Sequence, residues 1–93
     1  MTLSVLNNSR RTGLAARAAA EFRRGGWPAQ SKGNYRASQL PATTVYYTAG
    51  NAREKLAAES LHRQFPDVER VQPRIAGLSV RGLVVVLTAD YPA

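Results

Sequence analysis

Apolar and polar positions along this chain change period several times, and each change marks an element. Thr2–Leu6 alternates at first, with Leu3 and Val5 on one side and Thr2 and Ser4 on the other, which is the pattern of a strand. The next residues, Asn7 to Gly13, are turn chemistry: Asn and Ser bond their own backbone, and Gly13 tolerates positive φ. From Gly13 to Arg24 the period becomes helical. Leu14, Ala18 and Phe22 fall at i, i+4 and i+8 with Ala15 and Ala19 beside them, while Arg17, Glu21 and Arg24 take the other face. The Gly25-Gly26 pair stops this helix, and Arg23 and Arg24 suit the negative end of its dipole.

Trp27–Ala42 is less regular. It admits a short strand around Ala29–Lys32, which Pro28 confines to an edge, then a turn at Gly33-Asn34 and a loop over Arg36–Ala42. Thr43–Thr48 reads as a strand, with Val45 and Tyr47 on one face and Thr44 and Tyr46 on the other. A second helix follows. Asn51 and Glu54 predict a capping box, Ala57, Leu61 and Phe65 an apolar row flanked by Leu56 and Ala58, and Pro66 an end. Residues 68–73 allow a short edge strand. The continuous run Leu83–Leu87 reads as a strand buried on both faces. The predicted order is therefore β-α-β-β-α-(β)-β. Two helices that must both cover sheet, in one domain over residues 1–93, predict an α/β (α+β) two-layer sandwich. Its mixed sheet has four to five strands, with both helices on one face.

Charge sharpens this picture. The net charge is +7, carried by eleven Arg and two Lys. Residues 1–50 hold seven basic residues against Glu21 alone, and residues 51–93 hold six against five acidic ones. A basic half suggests an anionic partner: nucleic acid, phospholipid head groups or phosphorylated glycans. No cysteine is present, so neither a disulfide framework nor a thiolate metal site forms. No apolar run approaches the ~18 residues of a membrane span.

Signatures of catalysis are weak. The single histidine, His62, lies mid-helix, and the carboxylates have turn or helix roles; Asp90, just beyond the apolar Leu83–Leu87 strand, reads as a turn cap. No His/Asp/Glu cluster has metal-ligand spacing, and no nucleophile motif appears. The expectation is a non-catalytic domain without metal or cofactor. The turn "NNSRRTG" sits between strand and helix, as phosphate cradles do, but has one glycine where the dinucleotide fingerprint and the P-loop need more. Asn7, Asn8, Arg10, Arg11 and Arg17 are the candidate ligand-binding residues, because arginines beside a helix N-terminus can grip an anion. Trp27, Tyr35, Tyr46 and Tyr47 lie among arginines, so nucleic-acid binding through the basic half is the alternative.

Taken in order, the chain resembles the C-terminal accessory domain (LytR_C) of the LytR–CpsA–Psr cell-wall proteins. "LSVLNNSRRTGLAARAA" is similar to that domain's "V-x-V-L-N-G-S/T-G-x-x-G-L-A-x-x-A" opening, matching at Val5, Leu6, Asn7, Ser9, Gly13, Leu14, Ala15 and Ala18. Gly26-Trp27, Gly33-Asn34, the Thr43–Tyr47 strand with Ala49-Gly50, and "LVVVLTADY" match later motifs. Asn8 and Arg10 stand where the pattern has glycine, as does Thr88. The resemblance implies an extracytoplasmic, envelope-associated module of the kind found in actinobacterial envelope proteins, without the ligase active site. The parent would carry a single N-terminal transmembrane helix upstream. The implied partners are anionic cell-wall or polyprenyl-phosphate-linked glycan, or an envelope protein.

Overall fold

The computed structural model describes residues 2–78 and 80–93. The elements are β1 (Leu3–Asn7), α1 (Leu14–Arg24), β2 (Ala29–Asn34), β3 (Thr44–Tyr47), α2 (Ala52–Gln64), β4 (Arg70–Pro73) and β5 (Leu83–Leu87). They form the expected two-layer sandwich: one mixed sheet in the order β2-β1-β5-β3-β4, with both helices packed on the same side. Each helix connects two parallel neighbours, α1 between β1 and β2 and α2 between β3 and β4. The last strand joins the two units, running parallel to β1 and antiparallel to β3.

The apolar run of β5 explains its central place. Leu83, Val85 and Leu87 face the helices, where they meet Leu3, Val5, Leu14, Phe22, Val45 and Leu61. Val84 and Val86 face the other way, against Leu6, Tyr35 and Tyr46, and Leu40, Leu78 and Val80 cover them. The segments after β2 and β4 therefore do for one face what the helices do for the other. Just after β5 comes Thr88, whose N–H and hydroxyl both reach the Thr43 hydroxyl at 3.0 Å. Thr88 thus ties the end of β5 to the residue before β3, and glycine there would keep the N–H bond but lose the hydroxyl one.

Beyond β5 the chain turns back over the helical layer. Tyr91 is buried beside the Phe22 ring at 6.1 Å, and Phe22 in turn meets Phe65 edge-on at 5.0 Å. An aromatic chain of α1, α2 and the C-terminal tail so fills the layer. The helices meet at their C-terminal ends. Gln64 donates to the Gly25 carbonyl (2.9 Å) and accepts from the Trp27 indole (2.8 Å). A Cβ on Gly25 would lie 2.8 Å from the Phe65 ring, so glycine is needed there for contact as much as for stopping α1.

Three details depart from the expectation. Leu56 is not part of the buried row of α2; it is 66% exposed, and Ala58 and Leu61 are the buried positions, because the helix turns its 58/61/65 side to the sheet. Gly33-Asn34 is not a turn after β2 but the end of the strand itself. Gly33 takes φ +103°, and between Val5 and Asn7 the pairing slips from Ser31 to Asn34, which is a bulge. The capping box of α2 is one-sided. Asn51 accepts from the Glu54 N–H at 3.0 Å, but the Glu54 carboxylate accepts from the Thr48 N–H (2.8 Å) and the Asn51 side chain, not the Asn51 N–H.

Truncating the aromatic plug, Tyr91→Ala, is expected to cost about 3–5 kcal/mol in denaturant unfolding. Gly25→Ala should cost about 1–3 kcal/mol by displacing the Phe65 ring. Burial first, and then the charges of Glu21 and Asp67, raise the Tyr91 phenol well above its ordinary pKa of 10.0, and burial also raises Tyr46. The folded state thus holds these protons more tightly than the unfolded chain. Stability is full below the unfolded value of 10.0 and declines as pH rises above it. Tyr91→Phe should flatten that decline in unfolding measurements above pH ~10; an unchanged slope would place its origin elsewhere.

Candidate functional site

Adjacent parallel strands β1 and β2 send their following segments to opposite faces of the sheet. Residues after β1 lead to α1 on the helical side, while Tyr35 to Leu40, after β2, join the cluster on the other side. Open α/β sheets characteristically form a ligand crevice where neighbouring strands part in this way. A cleft of about 530 Å³ lies there, lined by residues 7–11, by Tyr35, Arg36, Ser38 and Gln39, and by Ala89 after β5. A smaller depression of about 270 Å³ adjoins it toward the start of α1, sharing Asn7, Ser9, Arg10, Arg11 and Arg36 and adding Thr12, Gly13 and Asn34. The lining contains three arginines and no carboxylate.

The turn that forms one wall is built by its own side chains. Asn7 accepts from the Ser9 N–H (2.9 Å) and hydroxyl (2.6 Å) and donates to the Arg11 carbonyl at 2.9 Å. The Ser9 hydroxyl in turn accepts from the Arg11 N–H at 3.1 Å. Asn8 reaches across the cleft floor. It donates to the carbonyls of Tyr35 (2.8 Å) and Ser38 (2.9 Å) and accepts from the Leu40 N–H at 2.9 Å, fixing the loop after β2. Among the described residues no non-glycine has positive φ, so Asn8 and Arg10 replace glycine without backbone strain. Gly13, at φ +79°, is the position in the turn that needs glycine.

The five candidate residues divide by what holds them. The Arg11 guanidinium donates to the main-chain oxygens of Ala89 (2.8 Å), Tyr91 (2.6 Å) and Ala93 (2.7 Å), clamping the C-terminal tail. Arg17 donates to the Thr12 carbonyl at 3.2 Å and lines neither depression. Asn7 and Asn8 are buried in the turn's own bonds, at the cleft wall. Arg10 is exposed at the rim, and Arg36 is exposed beside the same two depressions. Arg36, Asn34, Ser38 and Gln39 are lining residues that the sequence pattern did not single out. Their proximity to Arg10 follows from β1–β2 pairing, which sets Asn7 opposite Asn34 and the Tyr35 N–H on the Asn7 carbonyl at 3.0 Å. The only legible hint was the basic residues Lys32 and Arg36 around Tyr35.

At the other end of the chain, Asp90 accepts from the Thr88 hydroxyl and His62 Nδ1 lies 2.6 Å from the Val68 carbonyl, so both serve local turns. Among the described residues no group of three or more His, Asp or Glu gathers to hold a metal, and no helix is long and apolar enough to cross a membrane. The aromatics do not form an open base-stacking platform: Tyr35 and Tyr46 are buried in the loop-covered cluster.

The family model described as "LytR cell envelope-related transcriptional attenuator" matches residues 1–91. The chain belongs to the LytR_C family. Two solved structures share its fold. One is the solution structure of the C-terminal domain of RV0431, 29% identical, with a TM-score of 0.61, covering 95% of this chain and 71% of that one. The other is the soluble domain of a conserved hypothetical secreted protein, an Rv2700 ortholog, from Mycobacterium marinum. It is 21% identical, with a TM-score of 0.70, over 99% of this chain and 61% of that one. No curated protein matches the chain. LytR_C membership thus ties the domain to cell-envelope proteins, as an accessory domain and not a known catalytic family.

The division among the LytR_C turn residues has a measurable consequence. Arg11→Ala, which frees three main-chain acceptors, is expected to destabilise the domain by about 1–3 kcal/mol, and Asn8→Ala by a similar amount. Arg10→Ala at the exposed rim should change stability by less than about 0.5 kcal/mol. Chemical denaturation of the three variants separates the clamp from the rim.

Proposed function

We propose that this LytR_C domain is a non-catalytic binding module of the cell envelope. In this reading it takes an anionic, phosphate-bearing component, such as polyprenyl-phosphate-linked glycan or wall polymer, in the cleft after β1 and β2. The observation that carries the reading is a cleft of about 530 Å³ walled by Arg10, Arg11 and Arg36 without a carboxylate among its lining residues. Arginine forks match phosphate oxygens in pairs, which favours this ligand chemistry over a neutral glycan. The first turn of α1 holds no acidic residue and Gly13 gives no side-chain cap, so the positive end of that helix adds to the field at the smaller depression. Asn7 and Asn8 shape the wall, Arg11 fixes it through the tail, and Arg17 contributes charge from outside the depressions. An extracytoplasmic location, with the parent held by an N-terminal transmembrane helix, accords with the family's envelope description.

The test is a titration followed by backbone amide shifts, using inorganic phosphate and a short-chain polyprenyl phosphate in parallel. Shifts should cluster at residues 7–13 and 34–39. An Arg10→Ala/Arg36→Ala double variant, which leaves the Arg11 clamp intact, should weaken binding by about tenfold or more, as loss of charge-assisted bonds of ~1.5–3 kcal/mol each implies. Equal affinity of wild type and double variant, or no shifts with either probe, overturns the assignment. Shifts confined to an added envelope protein would favour a protein partner instead.

A further inference from the structure

The outer surface of the helical layer has a composition that neither the core nor the cleft explains. Helix α1 turns Leu14, Ala15, Ala18, Ala19 and Phe22 to the sheet and leaves Arg17, Arg23 and Arg24 exposed. Helix α2 buries Ala58 and Leu61 and leaves Arg53, Lys55 and Arg63 exposed. The carboxylates of the two helices, Glu21, Glu54 and Glu59, are all partly buried, so the exposed charges on α1 and α2 are positive, with Asp67, just after α2, an exposed carboxylate beside them. Leu56 stands among these cations. It is 66% exposed, and it shares with Arg63, seven residues on, the side of α2 opposite its buried row. The whole domain is a slab, with principal-axis extents of 33 × 29 × 19 Å, and the helical layer is one of its broad faces.

We propose that this face docks on an anionic lipid bilayer. Leu56 enters the boundary between head groups and acyl chains, and the arginines and lysine meet lipid phosphates. A single exposed leucine on a soluble surface is ordinary. Its company is what points to a bilayer. A soluble polyanion would satisfy the cations but gain nothing from Leu56, whereas an anionic membrane surface rewards both, as it does for interfacial amphipathic helices. A broad face of this kind suits an extended partner surface better than a groove-binding one. The α2 part of this surface, with Leu56, Arg53, Lys55 and Arg63, is separate from the cleft, whose lining residues lie at or after the ends of β1, β2 and β5.

Vesicle co-sedimentation of the whole domain tests the proposal. The vesicles are phosphatidylcholine alone or phosphatidylcholine with about a third phosphatidylglycerol. Wild type should sediment with the anionic vesicles, not with the neutral ones, and less as salt rises. Leu56→Ser, a surface change whose fold is checked by circular dichroism, should weaken vesicle binding about fivefold while leaving binding to soluble polyphosphate unchanged. Arg53→Gln/Lys55→Gln/Arg63→Gln should weaken both. The cleft variant Arg10→Ala/Arg36→Ala should bind anionic vesicles like wild type, so failure of the cleft reading and failure of this one give different results. No partition into anionic vesicles overturns the proposal. So does partition indifferent to Leu56, which would make the face a binder of soluble polyanions, or partition lost only in the cleft variant.

Discussion

Strand β5 must be covered on both sides, and most of the architecture answers that need. Its five residues are all buried, and they alternate between two clusters. An apolar strand of that kind is stable only between two neighbours and two layers. The two strand–helix–strand units supply the neighbours, each presenting its first strand to β5. Their helices supply one layer. The other layer has to come from connecting segments, so the stretch after β2 and the stretch after β4 are drawn across the sheet and packed there.

That second layer leads to the cleft. The loop after β2 crosses one face because Tyr35 and Leu40 are needed there, while the turn after β1 goes to the other face because α1 is needed there. The gap between them is a by-product of covering β5 twice. Loops packed on a sheet must settle their backbone groups, and side chains do it here. Asn8 satisfies the loop after β2, and Arg11 collects three main-chain oxygens of the C-terminal tail. Arg74 serves in the same way after β4, donating to the carbonyls of Leu78, Val80 and Gly82. Arginine in this chain is thus partly a structural residue, a device that holds several carbonyls with one planar group. Other arginines and lysines are exposed, among them Arg10 and Arg36 at the cleft and Arg24, Arg53, Lys55 and Arg63 on the helices, and these are available to ligands.

The two edges of the sheet are blunted by related means. At β2 the carbonyl of Ala29 is taken by Arg23 at 2.9 Å and its N–H by the Trp27 carbonyl at 2.9 Å, and the register shift around Gly33 interrupts the regular run of the strand. At β4, Pro73 removes a donor from the free side of a four-residue strand. Both devices discourage pairing with another chain, and they direct interactions to the loop cleft and the helical face.

Much of the fold was legible in the pattern of the chain. Periodicity placed both helices, the β-branched run placed a strand buried on both sides, and the ordered motifs from Val5 to Tyr91 placed the family. These are local properties: a side chain's repeat along the backbone is visible without knowing what it packs against. Leu56 shows where that reasoning stops. It flanks the apolar row of α2 as Ala58 does, yet only the packing of α2 against β3 and β4 decides which flank is buried. The candidate site divides in the same way. Asn7, Asn8, Arg10 and Arg11 are adjacent in sequence and stand together at the cleft. Arg36, twenty-five residues beyond Arg11, joins them only through the pairing of β1 with β2, and the separation of clamping arginines from exposed ones depends on where the tail after β5 returns. Sequence by itself determined the elements and the basic turn, because those arise from neighbours along the chain. Tertiary structure alone decided which charges are spent within the fold and which face outward, because that depends on groups brought together from opposite ends of it.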